Sequence, residues 1–521
     1  METPRRPKLT PRLRDWLIVL ACLAAHAVYL IVARLNVGRF GFPLDDAWIY
    51  QTYARNLATT GQWAFVPGVP STGSTSVLWT LLVTPAYLLR LNPFWWTQGL
   101  GLVALIGTAL GAARLFEDDP LRTSLIVGLA VSLEWHLIWA AASGMETGLF
   151  TALVVWFWAW LRRHDPALVG HRAQDGLLVG LWGGLLMLAR PEGILALAAA
   201  GIYGLLVHDA WWRRLGWGLL AGIGLGLVLV PFLTANHLIS GQWWPNTFYA
   251  KQMEYAALWQ QPFLQRLSQQ ATAPLVGAQA LLLPGLIYEL VHEIRQRSDP
   301  VSLAPWLWVL LHLAAYAARL PVTYQHGRYA IPVIPLIVIY GSRGVLRLAR
   351  PFAPSTLTRV ASRAWMVSLA VLFPLVAVAL GAPAYARDVR FIEREMVEAA
   401  RWVRDHTSPD SVIAAHDIGA LGYYASRPLV DLAGLVSPEV VPWMGDAEGL
   451  TAFILSHRAE YLIAFPRWSD AYTTMLASPH FCPVWNADQA GYVSDTGLGP
   501  LTIYRVSPDG TCPTGRSAAR D

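Results

Sequence analysis

Long apolar runs recur along the whole chain, and their length most restricts what it can fold into. The first, from Trp16 to Ala33, is long enough to cross a bilayer, since a spanning helix needs about 20 residues and tolerates slightly fewer. Only 14% of the residues are charged and 55% are hydrophobic, whereas a soluble domain has about 25% charged residues. The chain is therefore predicted to be mainly α-helical, a polytopic membrane protein with about 11–13 transmembrane helices. The further runs lie at 77–91, 97–113, 122–142, 145–160, 176–189, 192–207, 215–235, 275–291, 302–320, 329–346 and 364–384.

Basic residues in the short loops between these runs predict the orientation. Residues 1–14 hold five basic side chains and one acid, so the N-terminus is predicted to stay in the cytoplasm, below an inner or plasma membrane. The later basic loops conflict with this start if every run spans, so either one run between Val77 and Leu115 does not fully cross, being re-entrant or interfacial, or one of the runs contains a further break. The basic residues behind the net charge of +5 lie in these short loops, where they set the topology. The charge therefore gives no support for a nucleic-acid partner.

The composition changes at Tyr385, where polar and charged residues become frequent. Residues 1–384 are therefore predicted to form the transmembrane domain, and 385–521 a smaller extracytoplasmic α/β domain. Strands are expected at 412–415, 429–432 and 461–465, alternating with helices. Cys482 and Cys512 lie in this part and either pair outside the cytoplasm or remain free thiols.

Two adjacent carboxylates, Asp45 and Asp46, follow the first apolar run. Carboxylates at the edge of a membrane segment typically bind a cation or handle a proton. The alternative is that they only cap the helix that follows them. A stripe of Ile49, Tyr50 and Tyr53 predicts that this helix is amphipathic and lies along the membrane surface.

Other ionisable and aromatic residues at the ends of apolar runs are predicted to gather on the same side of the membrane. Lys251 and Arg328 suit a phosphate, and aromatic side chains such as Trp244 suit a sugar ring or an isoprenoid chain. The alternatives are plain ion pairs, aromatic anchors and snorkelling basic side chains. The candidates for substrate binding are Arg55, Glu146, Arg190, Glu192, Trp244, Asn246, Tyr249, Lys251, His326 and Arg328.

Several motifs of other functional classes are missing from the sequence. It has no Walker loop, no dinucleotide-binding glycine fingerprint, no zinc-type His/Cys spacing and no G-x-S-x-G. ATP-driven transport, hydride transfer and serine hydrolysis therefore receive no support.

An ordered set of short motifs carries a resemblance to a known family. The motifs are Leu44–Ile49, Tyr53–Leu57, Gly61–Gly68, Ser74–Trp79, Gly144–Phe150, Ala189–Gly193, Pro245–Lys251 and Arg328–Tyr329. In this order they resemble the GT-C superfamily of polytopic membrane glycosyltransferases, particularly the bacterial arabinofuranosyltransferase-type members. The resemblance implies transfer of a hexosyl or pentosyl unit, with inversion, from a polyprenyl-phosphate-linked donor to a cell-envelope glycan, lipid or protein.

The resemblance also implies roles for individual residues. Asp45 or Asp46 is expected to act as the catalytic base, with a preference for Asp45. The leaving phosphate is expected to be neutralised by Arg190, Lys251, Arg328 or a divalent cation (Mg, Mn or Ca) held by Asp45 and Asp46. The pair is Asp-Asp, not the spaced Asp-x-Asp of some relatives. Because adjacent side chains of an extended segment point to opposite faces, metal dependence stays open.

Two functions of other classes stay open alongside the enzyme. One is a transporter or flippase for a lipid-linked sugar, although the sequence shows no paired repeat of the kind that many transporters have. The other is a membrane receptor whose C-terminal domain binds a partner at the outer surface.

Overall fold

The computed structural model describes residues 9–116, 119–164, 173–207, 210–295, 300–491 and 497–512, and it is mostly helical. Residues 1–8 of the predicted cytoplasmic flank lie outside these ranges, as do the last residues of the predicted C-terminal domain. The α-helices before residue 377 are Pro11–Val37, Asp46–Thr60, Val77–Val83, Pro85–Leu88, Pro93–Arg114, Leu121–Ser132, Trp135–Ala142, Thr147–Arg163, Ala173–Ala189, Gly193–Val207, Trp211–Ser240, Asn246–Glu254, Phe263–Thr272, Leu283–Arg295, Pro300–Arg319, Tyr324–Gly327, Ile334–Leu348 and Thr356–Val376.

The first helix shows how local sequence sets these limits. Its N-terminus is capped by Thr10, whose hydroxyl oxygen accepts a hydrogen bond from the Leu13 N–H at 3.2 Å, and Pro11 occupies the first turn, where its missing N–H costs nothing. It ends at Gly38, which has a φ of 85°, a conformation that favours glycine. The chain then turns directly into the segment that carries Asp45 and Asp46.

The membrane-spanning helices are those that are both long and apolar. In the described ranges six helices meet this criterion, or up to eight if each of two bent pairs forms one span. Three shorter apolar helices precede residue 208, at Val77–Leu88, Gln174–Ala189 and Gly193–Val207, and only with them does the count reach the low end of the predicted range. Val77–Leu88 lies in the interval in which one run was expected not to cross fully, and it is short for a span.

The helix Asp46–Thr60 differs from the expectation. Its aromatic residues Trp48, Tyr50 and Tyr53 are buried, and it packs between the short helices that follow Ser76 and the helix Gly419–Tyr424 of the C-terminal part. It is therefore not a surface-lying membrane helix. The apolar stripe of this helix packs against other parts of the protein. A helix that packs on protein shows the same amphipathic pattern in sequence as a helix that packs on lipid.

One continuous helical stretch, Thr356–His406, leads from the membrane part into the C-terminal part. It contains two wider π-helical turns, at Ala377–Gly381 and Glu393–Val397. The predicted division after residue 384 falls inside this stretch. The change in composition thus marks where the helix leaves the apolar region, not a break in the chain.

The C-terminal part contains a five-stranded mixed sheet. Its spatial order is Leu429–Asp431, Ile413–Ala415, Tyr461–Ala464, Thr502–Val506 and Phe481–Asn486. The first three are parallel to one another, and Thr502–Val506 pairs antiparallel with both of its neighbours. The accompanying helices are Ala382–Ile392, Glu398–His406, Gly419–Tyr424, Ala447–Ser456 and Asp470–Leu476.

The three predicted strands are all present, whereas Phe481–Asn486 and Thr502–Val506 are not among the predictions. Pro483 argues against a strand in the first of these, and the sheet tolerates it because Phe481–Asn486 is an edge strand. Cys482 and Cys512 form a disulfide, which ties this edge strand to the end of the described chain.

Candidate active site

Two cavities meet beside the start of the helix Asp46–Thr60. The smaller, of about 390 Å³, has a largely apolar wall that includes Trp244. The larger, of about 1230 Å³, lies between the helical part and the C-terminal part and is more polar. Both cavities are lined by Asp46, Ile49, Lys251, Arg328 and Leu435. A group bound in one cavity would therefore lie close to a group bound in the other.

Asp45 lines the larger cavity and is held by the C-terminal part. Its two carboxylate oxygens accept hydrogen bonds from the backbone N–H groups of Gly419 and Ala420, at 2.6 and 2.7 Å. It does not cap its own helix, so the simple capping role does not describe it. Burial and the nearby charge of Asp417 raise the pKa of Asp45 to about 7, although the two N–H donors act in the opposite direction.

Asp46 faces two basic side chains instead. Its carboxylate accepts a hydrogen bond from the Arg328 guanidinium at 2.8 Å and lies 3.6 Å from the Lys251 ammonium nitrogen. Burial acts to raise the pKa of Asp46, but Lys251 and Arg328 outweigh burial and hold this pKa well below its usual range. The two adjacent carboxylates thus have opposite electrostatic environments.

Arg328 retains unused hydrogen-bonding capacity. Its Nη2 donates to Asp46 and to the Tyr329 hydroxyl, whereas Nε and Nη1 are buried and have no partner in the part of the chain that the structure describes. Unpaired buried donors are costly. An anionic ligand in either cavity is a natural acceptor for them, since guanidinium and phosphate bond well.

Each nitrogen of Arg190, in contrast, already has a partner. Its three nitrogens donate to Glu192, to Glu146 at 2.5 Å and to the Tyr316 hydroxyl at 3.0 Å. Two carboxylates therefore already neutralise this arginine. The cluster borders the smaller cavity, where it forms part of the wall, but a phosphate would have to compete with both acids for Arg190.

Arg55 lies outside both cavities and secures the C-terminal part. Its guanidinium donates to the backbone oxygens of Tyr423 and Gly422 at 2.7 and 3.1 Å, near the C-terminus of the helix Gly419–Tyr424. Asp45 holds the opposite end of the same short helix. A carboxylate at the N-terminus and a cation at the C-terminus both complement the helix dipole. The contacts of Asp45 and Arg55 with the two ends of the helix Gly419–Tyr424 therefore attach the C-terminal part to the helical part, and this pair of contacts is called the clasp.

The remaining candidates are divided between the cavities and the surrounding scaffold. Trp244 lines the smaller cavity. Asn246 is buried, and its backbone N–H donates to the Thr72 oxygen, while Tyr249 packs edge-on against Phe248; neither lines either cavity. His326 is also outside both, hydrogen-bonded to Asp388 at 2.7 Å.

His326 instead fixes the backbone turn before Arg328. Gln325, His326 and Gly327 have φ values of 53°, 59° and 64°, a left-handed run that is strained for residues other than glycine. The contact with Asp388 and the ring contacts of His326 with Trp135 and Trp139 hold this turn.

The structure also brings in side chains that the sequence reasoning did not select. Glu254, His416, Asp417 and Trp468 line the larger cavity. For Glu254 a signal was available, because it follows Lys251 by three residues and so shares its helix face. For His416, Asp417 and Trp468 no local sequence pattern indicates a place near Asp45, because their proximity to it depends on how the C-terminal part docks.

The aspartate pair does not fit a divalent cation. The two carboxylates are turned to different partners: Asp45 to the N–H groups of Gly419 and Ala420, and Asp46 to Lys251 and Arg328, which would repel a metal ion. No cluster of three or more His, Cys, Asp or Glu side chains suited to a metal is found among the described residues. Lys251 and Arg328 thus supply the positive charge beside Asp46.

The architecture identifies the fold: the chain has the fold of the GT-C membrane glycosyltransferases, as predicted, and its apolar helices are those of a multi-pass membrane protein. ArnT from Cupriavidus metallidurans, bound to undecaprenyl phosphate, aligns with a TM-score of 0.58 and 17% identity, over 96% of this chain and 100% of that chain. The archaeal oligosaccharyltransferase AglB from Archaeoglobus fulgidus, in complex with an inhibitory peptide and a dolichol-phosphate, aligns with a TM-score of 0.58 and 12% identity, over 96% and 75%.

Other comparisons add little to this assignment. The arabinofuranosyltransferase AftD from Mycobacteria gives a TM-score of 0.45 and 16% identity, over 96% of this chain and 40% of that chain, which is too loose to support an argument. A family model described as a domain of unknown function, DUF8728, matches residues 375–504. No curated protein matches the chain.

Proposed function

We propose that the protein is a membrane glycosyltransferase that transfers a sugar from a polyprenyl-phosphate-linked donor to an acceptor hydroxyl, with the C-terminal part and the site on the extracytoplasmic side. The observation that carries the proposal is the junction, at Asp46, of a largely apolar cavity with a larger and more polar one, with Lys251 and Arg328 beside it. The lipid phosphates named with ArnT and AglB support this class of donor.

The donor is assigned to the smaller cavity. Its apolar wall suits the isoprenoid chain, and Lys251 and Arg328 provide positive charge at its inner end. The unpaired Nε and Nη1 of Arg328 are suited to donate to phosphate oxygens. Charge-assisted contacts of this kind stabilise the phosphate most when it leaves with an added negative charge.

Asp45 is assigned as the general base. It lines the larger cavity, and a pKa near 7 suits proton transfer at neutral pH. The N–H groups of Gly419 and Ala420 orient its carboxylate but leave lone pairs free, since two carboxylate oxygens together offer about four acceptor sites. Two neighbouring acids whose environments separate their pKa values typically have separate roles.

The reaction then proceeds as a single displacement. The acceptor hydroxyl in the larger cavity gives its proton to Asp45 as its oxygen attacks the anomeric carbon. The bond from that carbon to the phosphate oxygen breaks, and its electron pair leaves with the polyprenyl phosphate beside Lys251 and Arg328. Because attack and departure occur on opposite faces of the sugar, the configuration inverts.

Asp46 is assigned to hold the two cations in place before the donor binds. Until then its carboxylate neutralises Arg328 and Lys251. A donor phosphate would share these cations and so weaken their hold on Asp46.

The test compares Asp45→Asn with the unaltered protein in lipid nanodiscs. Both are given radiolabelled undecaprenyl-phosphate-linked pentoses and hexoses together with short arabinan and mannan acceptors. The variant should lose about a hundredfold to ten-thousandfold in transfer rate, while its thermal stabilisation by undecaprenyl phosphate is unchanged. Asp405→Asn, which removes an exposed carboxylate paired with Arg404, is the matched control. Full activity of Asp45→Asn would remove it from the catalytic role, and movement of intact lipid-linked sugar without transfer would favour a transporter.

A further inference from the structure

The larger cavity has a wall that the C-terminal part supplies. On one side it is lined by residues of the helical part, including Glu254, and on the other by His416, Asp417 and Trp468. Its volume of about 1230 Å³ exceeds the roughly 300–1,000 Å³ that is usual for one drug-sized ligand. An occupant larger than one sugar ring therefore fits, and one end of it would reach Asp45.

The polar groups in this wall form a linked cluster. The His416 Nε2 lies 3.5 Å from Glu254, and its Nδ1 lies 3.7 Å from Asp417. Although burial acts to lower it, the contacts with Asp417 and Glu254 raise the pKa of His416 to about 10. The imidazolium thus neutralises one of the two carboxylates.

This cluster still has hydrogen-bonding capacity to offer. Asp417 and Glu254 present more acceptor sites than His416 occupies, and no described residue accepts a hydrogen bond from His416 Nδ1. Converging carboxylates are suited to hydroxyl groups, each of which brings a proton to donate.

Trp468 adds an aromatic surface beside these carboxylates. Its ring lies 4.4 Å from the His416 ring, centroid to centroid, and is only partly buried. An aromatic face covers the C–H side of a sugar ring, while carboxylates bind the hydroxyls at its edge. Of the two cavities, the smaller has the more strongly apolar wall and so suits a lipid tail better, whereas the larger offers more polar surface.

We propose that the C-terminal part forms the acceptor site of the enzyme, and that the acceptor is the hydrophilic end of an oligosaccharide held by Trp468, Asp417 and Glu254. This inference rests on the proposed glycosyl transfer. It assigns binding of a carbohydrate to the region that matches DUF8728, and it chooses a glycan over a lipid or a protein acceptor.

The experiment measures binding separately from transfer. Short arabinan and mannan oligosaccharides, and as comparison unrelated short peptides, are titrated into the full chain in nanodiscs and followed by saturation-transfer NMR and thermophoresis. At least one oligosaccharide should bind, and Trp468→Ala should weaken its binding about tenfold or more. Trp468→Phe, which keeps an aromatic face, should restore much of the affinity, and Asp417→Asn should also weaken binding.

Two controls keep the result specific. Trp443→Ala removes a tryptophan of the same part that is 44% exposed and lines neither cavity, and it should bind oligosaccharides normally. Stabilisation by undecaprenyl phosphate should be the same in every variant, which shows that the donor side remains folded.

The outcomes separate the two proposals. Oligosaccharide binding that depends on Trp468 and Asp417, without any transfer, would contradict the proposed function and leave the binding site intact. The acceptor site is wrong if no oligosaccharide binds, if only peptides bind, or if Trp468→Ala and Asp417→Asn transfer sugar and bind acceptor as well as Trp443→Ala does.

Discussion

The Asp45 contact of the clasp predicts the effect of adding a side chain at Gly419, whose N–H group donates to the Asp45 carboxylate. A methyl group added at Gly419 would lie 2.0 Å from the Asp45 backbone oxygen and 2.8 Å from its carboxylate. Backbone atoms cannot yield to that extent, so in Gly419→Ala the helix must move away. Both hydrogen bonds to Asp45 are then lost or stretched.

The size of the effect follows from those two bonds. Because Asp45 has a pKa of about 7 and is only partly ionised at neutral pH, each bond is taken as an ordinary hydrogen bond of about 0.5–1.5 kcal/mol, so docking of the C-terminal part should weaken by about 1–3 kcal/mol. Displacing the base by even about 1 Å should lower the transfer rate about a hundredfold.

The assay compares Gly419→Ala with Gly445→Ala, a change at an exposed glycine where an added methyl meets nothing within 4 Å. Melting temperature and transfer rate are measured for both, and for Gly419→Ala combined with Asp45→Asn. In transfer rate the combined variant should be little worse than Asp45→Asn alone, because both changes disable the same base, whereas its melting temperature should fall with that of Gly419→Ala, because the clash with the backbone oxygen of residue 45 remains. Equal stability and activity of Gly419→Ala and Gly445→Ala would refute the clasp.

Three further expectations follow from the charges around the site. Asp46→Asn should lower the melting temperature, since Arg328 loses its partner, yet undecaprenyl phosphate should stabilise this variant more than the unaltered protein; a smaller stabilisation would contradict the cation-holding role. Arg328→Gln should weaken undecaprenyl phosphate binding about tenfold or more. Arg190→Gln should instead destabilise the fold by about 3–5 kcal/mol, because it leaves the buried Glu146 and the partly buried Glu192 without their cation. Equal effects of the two changes on lipid binding would argue against this division. The pKa of Asp45 is raised from its usual 3.8 to about 7, so the transfer rate should increase as pH rises through about 7 and the base becomes ionised. The stability that Asp45 contributes should be complete below about pH 4 and should be lost as pH rises through about 7. Both pH trends should be absent in Asp45→Asn.

The fold class was within reach of the sequence because long apolar runs have few alternative structures. The C-terminal strands 413–415, 429–431 and 461–464 were also predictable, since short β-branched and aliphatic segments flanked by turns read as buried strands. The edge strand with Pro483 was not, because nothing local shows that its missing N–H faces away from a neighbour.

The site was only partly predictable. Charge beside an apolar run marked Asp46, Lys251, Arg190 and Arg328, and all four line the smaller cavity. Their partners depend on tertiary contacts: Gly419, which binds Asp45, is 374 residues away in sequence. For the same reason the sequence could not reveal that Arg190 is already neutralised while Arg328 keeps free donors.

The helix Asp46–Thr60 shows the limit of periodicity as a guide to environment. Its stripe of apolar residues predicts a surface that faces lipid, whereas in the structure this surface faces protein. The spacing of apolar residues along a helix indicates which face is covered, but it does not distinguish lipid from protein as the cover.

A density map of the protein with bound undecaprenyl phosphate would test the two-cavity site most directly. The phosphate should lie within hydrogen-bonding distance of Lys251 Nζ and of the free nitrogens of Arg328, its chain should follow the apolar cavity past Trp244, and Asp45 should face the other cavity. A phosphate bound at Arg190 or Arg55, or in the polar cavity beside Asp417, would contradict the assignment of the donor site.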